Sequence, residues 1–323
     1  MPPLATYVHS IDPIIASVAG VHLWWYGLSY SLGFLNLFLW LRRRRAELSF
    51  TPAMVYDLTL LLSAGVLLGG RGVEVVFYEW PFYRQHLHLI PAYWLGGMAT
   101  HGLLLGGLAG AWLFCRGYRR QFWPVMDVLC VPGAFILGVG RLGNFIDGQI
   151  VGSVTDVWWA VKFPDADGFR HPVVLYDGLK NLALIPVLIY LSGRASRPGT
   201  VAGVFFFLYA FLRIPVDVFR EYPTTLLGLA TGQSLNIAMS LAGVCLLLWS
   251  QRNGPRPLPR PAEQPTATAV RVGSARKAAL GFLIGFSLVI PSDWTQDVPA
   301  RYGKRHAGLA HSLFYPALAS ESR

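Results

Sequence analysis

Charge is scarce in this chain: only 14% of its 323 residues are Asp, Glu, Lys or Arg. Acidic residues are the scarcer kind, 17 against 27 Lys and Arg. Cysteine occurs three times, at Cys115, Cys130 and Cys245, with no CxxC pair. Each shortage excludes something. A soluble domain of this length needs far more polar surface; a 54% hydrophobic composition and a mean hydropathy of +0.44 fit a polytopic membrane protein. Three scattered cysteines give neither a disulfide framework nor a zinc site. Alternating ten-residue segments are lacking, which excludes a transmembrane β-barrel. The N-terminus lacks a basic region and a small-residue cleavage site, so no cleaved signal peptide is expected.

Long apolar runs are what the chain does have. A bilayer core is crossed by about 20 helical residues. Seven runs of suitable length occur, at about 20–41, 53–78, 95–115, 124–146, 173–192, 200–219 and 234–250. They read as helices, because backbone in lipid must satisfy its own hydrogen bonds. The fold class expected is an all-α integral membrane protein with seven transmembrane helices. Arginines follow the odd-numbered runs: Arg42 to Arg45, then Arg116, Arg119 and Arg120, then Arg194 and Arg197, then Arg252 onward. No Lys or Arg precedes Arg42. The positive-inside rule then places the N-terminus outside. The formal net charge of +10 reads as topology and contact with anionic lipid, with no nucleic-acid partner.

Three parts are expected: a membrane domain at 1–250, a Pro- and Arg-rich cytoplasmic linker at 251–277, and a segment at 278–323 of unassigned role. The last begins with a short apolar run, 278–290, that either crosses as an eighth helix or lies at the interface. A channel or transporter would show inverted hydropathy repeats, and none is visible.

Polar groups at membrane depth are costly and are the natural place to look for function. Tyr26, in Trp24-Trp25-Tyr26-Gly27, belongs either to an interfacial aromatic belt or to a site. His101 is expected about two turns into the third span, as a structural donor or a proton acceptor. The fourth span opens near Asp127, expected to cap or pair at the inner end. It closes on Arg141, Asn144, Asp147 and Gln149. Arg141 is either an ion-pair partner or a fork for phosphate. Arg213 and Asp217 stand i,i+4 in the sixth span, suited to an intrahelical salt bridge, with Pro215 between them to kink the helix. Arg220 follows, and His171 and Asp177 open the fifth span. Arg141, Arg213 and Arg220, with His101, Tyr26 and Asn144, are expected in the outer halves of different spans. Several arginines on one cavity would attract an anionic lipid headgroup, and a nearby histidine would take a proton from a nucleophile.

In this order the residues resemble the prolipoprotein diacylglyceryl transferase family. The anchors are Trp25-Tyr26-Gly27, His101-Gly102, Gly140-Arg141-Leu142-Gly143-Asn144-Phe145, Gly152, His171-Pro172 with Leu175-Tyr176-Asp177, and Arg213 with Asp217 before Phe219-Arg220. The resemblance spans about residues 14–250. It implies transfer of a diacylglyceryl group from phosphatidylglycerol to the lipobox cysteine of a prolipoprotein signal peptide, with glycerol phosphate leaving and no metal or other cofactor. The location implied is the bacterial inner membrane, multi-pass, with the site facing the outer leaflet. Carried over by position, Arg141 and Arg213 hold the donor phosphate and His101 is the base. Tyr26 and Asn144 donate hydrogen bonds, Asp217 orients Arg213, and Asp147, Gln149, Gly152, His171, Asp177 and Arg220 complete the substrate site. The chain departs from the family pattern in several places. It has Asp147-Gly148-Gln149 for Asn-Gly-Glu, Ser153 for Arg, and Asp177 and Asp217 for Glu. A paralogue using another acceptor and a non-catalytic lipid-binding protein are the rival expectations.

Overall fold

Glycine pairs and a proline decide where the helices of this chain start, touch and break. A computed structural model describes residues 7–164, 166–195, 197–220, 225–226, 229–253, 272–292 and 314–315. Its helices, in chain order, are α1 (Trp25–Arg44), α2 (Pro52–Val73), the single turn α3 (Trp80–Tyr83), α4 (Thr100–Gly117) and α5 (Phe122–Ile146). They continue with α6 (Val173–Ser192), α7 (Thr200–Phe211), α8 (Arg213–Asp217), α9 (Thr231–Asn253) and α10 (Ser274–Ser287). Short strands lie at one end. β1 (Tyr7–Val8) pairs in parallel with β4 (Val161–Lys162), and β2 (Ile14–Val18) forms a hairpin with β3 (Val21–Trp24).

Among the described residues, four helical stretches are long and apolar enough to cross a membrane: Pro52–Tyr78, Phe122–Ile146, Val173–Ser192 and Thr200–Asp217. The expected runs at 53–78, 124–146 and 173–192 agree closely with them. Three expectations shift for local reasons. The first helix begins at Trp25 because 21–24 pair with 14–18 around Ala19 and Gly20, both at positive φ. The third begins at Thr100, after Gly96 and Gly97 at φ 84° and 78° turn the chain. That places His101 in the first turn of α4 instead of two turns in. The sixth breaks into α7 and α8 because Pro215 cannot donate to the carbonyl four residues back. Of the expected linker, 251–253 lie in α9 and 274–277 in α10; residues 254–271 of it, and 293–313 and 316–323 of the terminal segment, fall outside the described residues.

The α2–α4 contact is backbone against backbone. A Cβ built on Gly106 would overlap the Gly65 carbonyl, and one on Gly110 would sit 2.5 Å from the Leu61 oxygen. Only glycine permits this approach, the usual use of small residues between membrane helices. Elsewhere, side chains join the helices. Trp40 Nε1 donates to the Val128 carbonyl at 2.9 Å, tying α1 to α5. Asp127 caps α7 from α5, its carboxylate accepting from the backbone N–H groups of Gly199 and Ala202 at 2.7 and 2.8 Å. Leu58, Ala134 and Leu188 are fully buried where the bundle core forms.

The last described segment lies against the first. α10 packs on α1 and α2. Ser31 Oγ donates to Ile284 O at 2.6 Å, and Trp24 N–H to Leu288 O at 2.8 Å. Arg276 grips Asp57 of α2 at 2.7 and 3.0 Å. Beyond the helix, Ser292 donates to the buried carboxylate of Asp147, and the buried Tyr315 hydroxyl accepts from His22 N–H at 3.1 Å. At its rise per residue α10 is roughly 21 Å long, short of a bilayer core of about 30 Å.

The glycine seam makes a direct prediction. Gly106→Val lowers the thermal midpoint in detergent, by about 1–3 kcal/mol of stability or more. Gly281→Ala, in a position with nothing within 4 Å, is neutral or gains up to about 1 kcal/mol.

Candidate active site

One end of the bundle gathers the polar residues, because α1 and α4 start there and α5 ends there. Gly143 makes the convergence close. A Cβ on it would lie 2.9 Å from the Tyr26 Cα, so α1 crosses α5 two residues from Arg141. A cavity of about 480 Å³ opens between these helices. Tyr26, Ser29, Tyr30, Thr100, His101, Arg141 and Asn144 form the polar part of its wall. The rest is small or apolar, Gly, Ala, Pro and Cys beside Leu, Ile, Val, Phe and Met, running toward the opposite end with Leu37, Leu62 and Leu129 among them. A polar end joined to a long apolar body is the shape of a lipid, and its size falls in the range of ligand sites.

Arg141 is fixed from behind. Its Nε donates to Asp177 Oδ2 of α6 at 2.7 Å. Arg213 of α8 pairs with the same oxygen through Nη1. Lys180 Nζ stands 3.2 Å from the other oxygen, Oδ1; this is an ion pair without hydrogen-bond alignment, since that oxygen has no aligned donor. Arg213 Nε donates to Asp217 Oδ1 at 2.9 Å, the i,i+4 bridge expected from the sequence, and Asn236 Nδ2 donates to Asp217 Oδ2 at 2.7 Å. Asp177 and Asp217 are almost wholly buried. Arg141 Nη1 also approaches Asn144 Oδ1 at a long 3.4 Å. A guanidinium has five N–H donors, and these contacts engage two of them while Arg141 lines the cavity.

The expected site residues therefore fall into three groups. Tyr26, His101, Arg141 and Asn144 meet on the cavity. Asp177, Arg213 and Asp217 stand behind Arg141 as an ionic chain and are absent from the cavity wall. The others lie in the segments beyond the helix ends. Gly152 N–H donates to His171 O at 3.0 Å, and Ser153 N–H to Phe219 O at 2.8 Å. The His171 ring packs 4.7 Å from that of Phe219. Half-buried Arg220 donates its backbone N–H to Asp217 O at 3.2 Å. Asp147 is buried beneath Ser292, and half-buried Gln149 bonds the Asn144 carbonyl through its backbone N–H at 2.9 Å. Near the cavity mouth, His101 Nδ1 lies 3.4 Å from the Tyr78 hydroxyl.

Sequence reasoning passed over several participants. Lys180 is three residues after Asp177 and Tyr30 four after Tyr26, spacings that place each pair on one helix face. Their hydroxyls bring Tyr26 and Tyr30 together at 3.2 Å. Buried Arg71 organises the loop before α4, donating to the carbonyls of Ile90 and Leu89 at 2.8 and 2.9 Å and facing the Tyr83 ring at 5.0 Å. Asn236 and Ser292 carried no local signal, because their partners are distant in sequence.

Two outcomes follow. Asp177→Asn strands buried guanidiniums and costs about 3–5 kcal/mol, read as a lower unfolding midpoint in detergent. Burial lowers the pKa of His171, so its neutral ring contributes fully above an ordinary value of about 6.5 and that contribution is lost as pH falls through the lowered pKa. The stability difference between wild type and His171→Phe shifts in favour of the variant as pH drops from about 7 to about 5.

The sequence model of the family described as "Prolipoprotein diacylglyceryl transferase" matches residues 13–249. Proteins named phosphatidylglycerol–prolipoprotein diacylglyceryl transferase are similar over most of their length. One from Chromohalobacter salexigens is 39% identical over 252 residues, covering 75% of this chain and 93% of its own. One from Legionella pneumophila (strain Lens) is 36% identical over 253 residues, covering 75% and 98%. One from Nitratidesulfovibrio vulgaris is 39% identical over 252 residues, covering 74% and 93%. The match takes in every residue of the cavity's polar wall and of the ionic chain behind it, and the chain belongs to the prolipoprotein diacylglyceryl transferase family.

Proposed function

We propose that this protein transfers the diacylglyceryl group of phosphatidylglycerol to the thiol of a lipobox cysteine in a prolipoprotein. The observation that carries the reading is the cavity, whose polar end holds Tyr26, His101, Arg141 and Asn144 and whose body is apolar. Arg141 receives the phosphodiester at the polar end, and the acyl chains follow the apolar wall. The thiolate attacks the diacylglyceryl carbon bonded to the phosphate oxygen. The carbon–sulfur bond forms as the carbon–oxygen bond breaks, and glycerol phosphate leaves with the electron pair. Negative charge grows on the leaving phosphate, where a fixed guanidinium stabilises it. His101 takes the thiol proton, because a free thiol with a pKa near 8.5 is mostly unreactive at neutral pH. Arg213 acts through Asp177, holding the carboxylate that aims Arg141. Asp217 orients Arg213 in turn.

Seven crossings by α1, α2, α4, α5, α6, α7 with α8, and α9, with an outside N-terminus, fit this chemistry. Arg42 to Arg44 end α1 and Arg116 ends α4, at the opposite end from the cavity's polar wall. A cytoplasmic basic end sets the site at the outer leaflet of the bacterial inner membrane, where a secreted precursor arrives. The family departures at Asp147, Gln149 and Ser153 lie off the cavity wall. That favours the family's usual acceptor over a different one.

The test is release of glycerol phosphate from phosphatidylglycerol in the presence of a lipobox peptide by the purified protein. Wild type turns over, Arg141→Ala loses roughly 100- to 1000-fold in kcat, and His101→Gln loses the rate along with its pH dependence. No release by wild type with any thiol or hydroxyl acceptor overturns the reading.

A further inference from the structure

The ionic chain behind the cavity holds more positive charge than its carboxylates can balance. Arg141, Arg213 and Lys180 all reach Asp177, while Asp217 serves Arg213 and Asn236. Three cations and two carboxylates are thus joined by direct contact. Removing Lys180 would take away one of the three cations that meet Asp177. A buried lysine is costly, and this one has specific anchors. Its ammonium donates to the Tyr209 carbonyl at 2.9 Å, at the end of α7 just before the helix breaks. It also lies 4.2 Å from the centre of the Tyr209 ring. Carboxylate, carbonyl and aromatic face all favour the charged form. Lys180 is buried, its side chain only 7% exposed, and it is absent from the cavity wall, so it does not touch a ligand there.

We propose that Lys180 is a positioning residue that makes the site selective for an anionic lipid headgroup. It shares the charge of Asp177, so Asp177 aims Arg141 without cancelling it. Arg141 then presents an uncompensated charge to the cavity, which the single negative charge of a phosphodiester balances. A zwitterionic lipid brings its own cation and gains nothing from it. In a low-dielectric interior such an excess acts strongly across the short distances involved. The i,i+3 spacing from Asp177 keeps both residues on one face of α6. This inference rests on the lipid-donor reading above.

The experiment has two arms on the full-length protein in nanodiscs or detergent. Turnover is measured with phosphatidylglycerol and a lipobox peptide. Lipid retention is measured separately by native mass spectrometry, with phosphatidylglycerol competing against phosphatidylethanolamine. Lys180→Met raises KM for phosphatidylglycerol by about tenfold with a smaller change in kcat. It also erases the preference for the anionic lipid, while Lys180→Arg restores both. Lys180→Gln, which can still bond the Tyr209 carbonyl, behaves as Lys180→Met and serves where the methionine variant does not fold. A purely structural role would lower the thermal midpoint and leave the lipid preference intact. That outcome, or an unchanged KM in both neutral variants, overturns the proposal. Should wild type retain phosphatidylglycerol selectively yet transfer nothing, the transfer reading fails and the role of Lys180 stands.

Discussion

The carboxylate of Asp177 is the contact on which the arrangement of the site depends. It sits on α6, takes Arg141 from α5 and Arg213 from α8, and pairs with Lys180 on its own helix. Lys180 ties on to α7, and Asp217 carries the chain to Asn236 of α9. Buried ions of one sign are strongly disfavoured in an apolar bundle unless opposite charges meet them with good geometry. The helices are therefore constrained to converge where their charges meet, and the guanidinium that faces the cavity is held by that convergence. Its pre-set position is what allows it to act on a developing charge without reorganising.

The long apolar runs were legible because length and composition alone fix them, and α2, α5 and α6 follow the sequence reading within a few residues. The starts of α1 and α4 were not. Positive φ at Gly20, Gly96 and Gly97 makes a turn of what hydropathy counts as more helix. The break at Pro215 was legible, since it follows from a missing N–H. At the site, spacing announced the Arg213–Asp217 bridge. The pairing of Arg141 with Asp177 joins residues 36 apart, and no local pattern contains it. The sequence also suggested that Arg213 meets the donor phosphate. The fold instead sets it behind Arg141, because two carboxylates already claim its Nε and Nη1.

The family departures separate by location. Asp177 and Asp217 sit in the ionic chain, and each short carboxylate has a further partner besides arginine, Lys180 in one case and Asn236 in the other. Asp147 lies outside the cavity and receives Ser292, a residue beyond the region the family shares. In the fold that acid is where Ser292 of the terminal segment docks.

That segment has a consequence for how the protein comes to be assembled. Ser31 bonds Ile284 across 253 residues, and His22 bonds Tyr315 across 293. At ribosomal rates of about 5–20 residues per second, the partner of Ser31 is synthesised roughly 10–50 s after Ser31 itself. During that interval Gly27, whose Cβ would lie 2.5 Å from the carbonyls of Ser287 and Leu288, faces lipid or solvent in place of a helix end. The first helix acquires α10 as its neighbour only after the residues between them have been made.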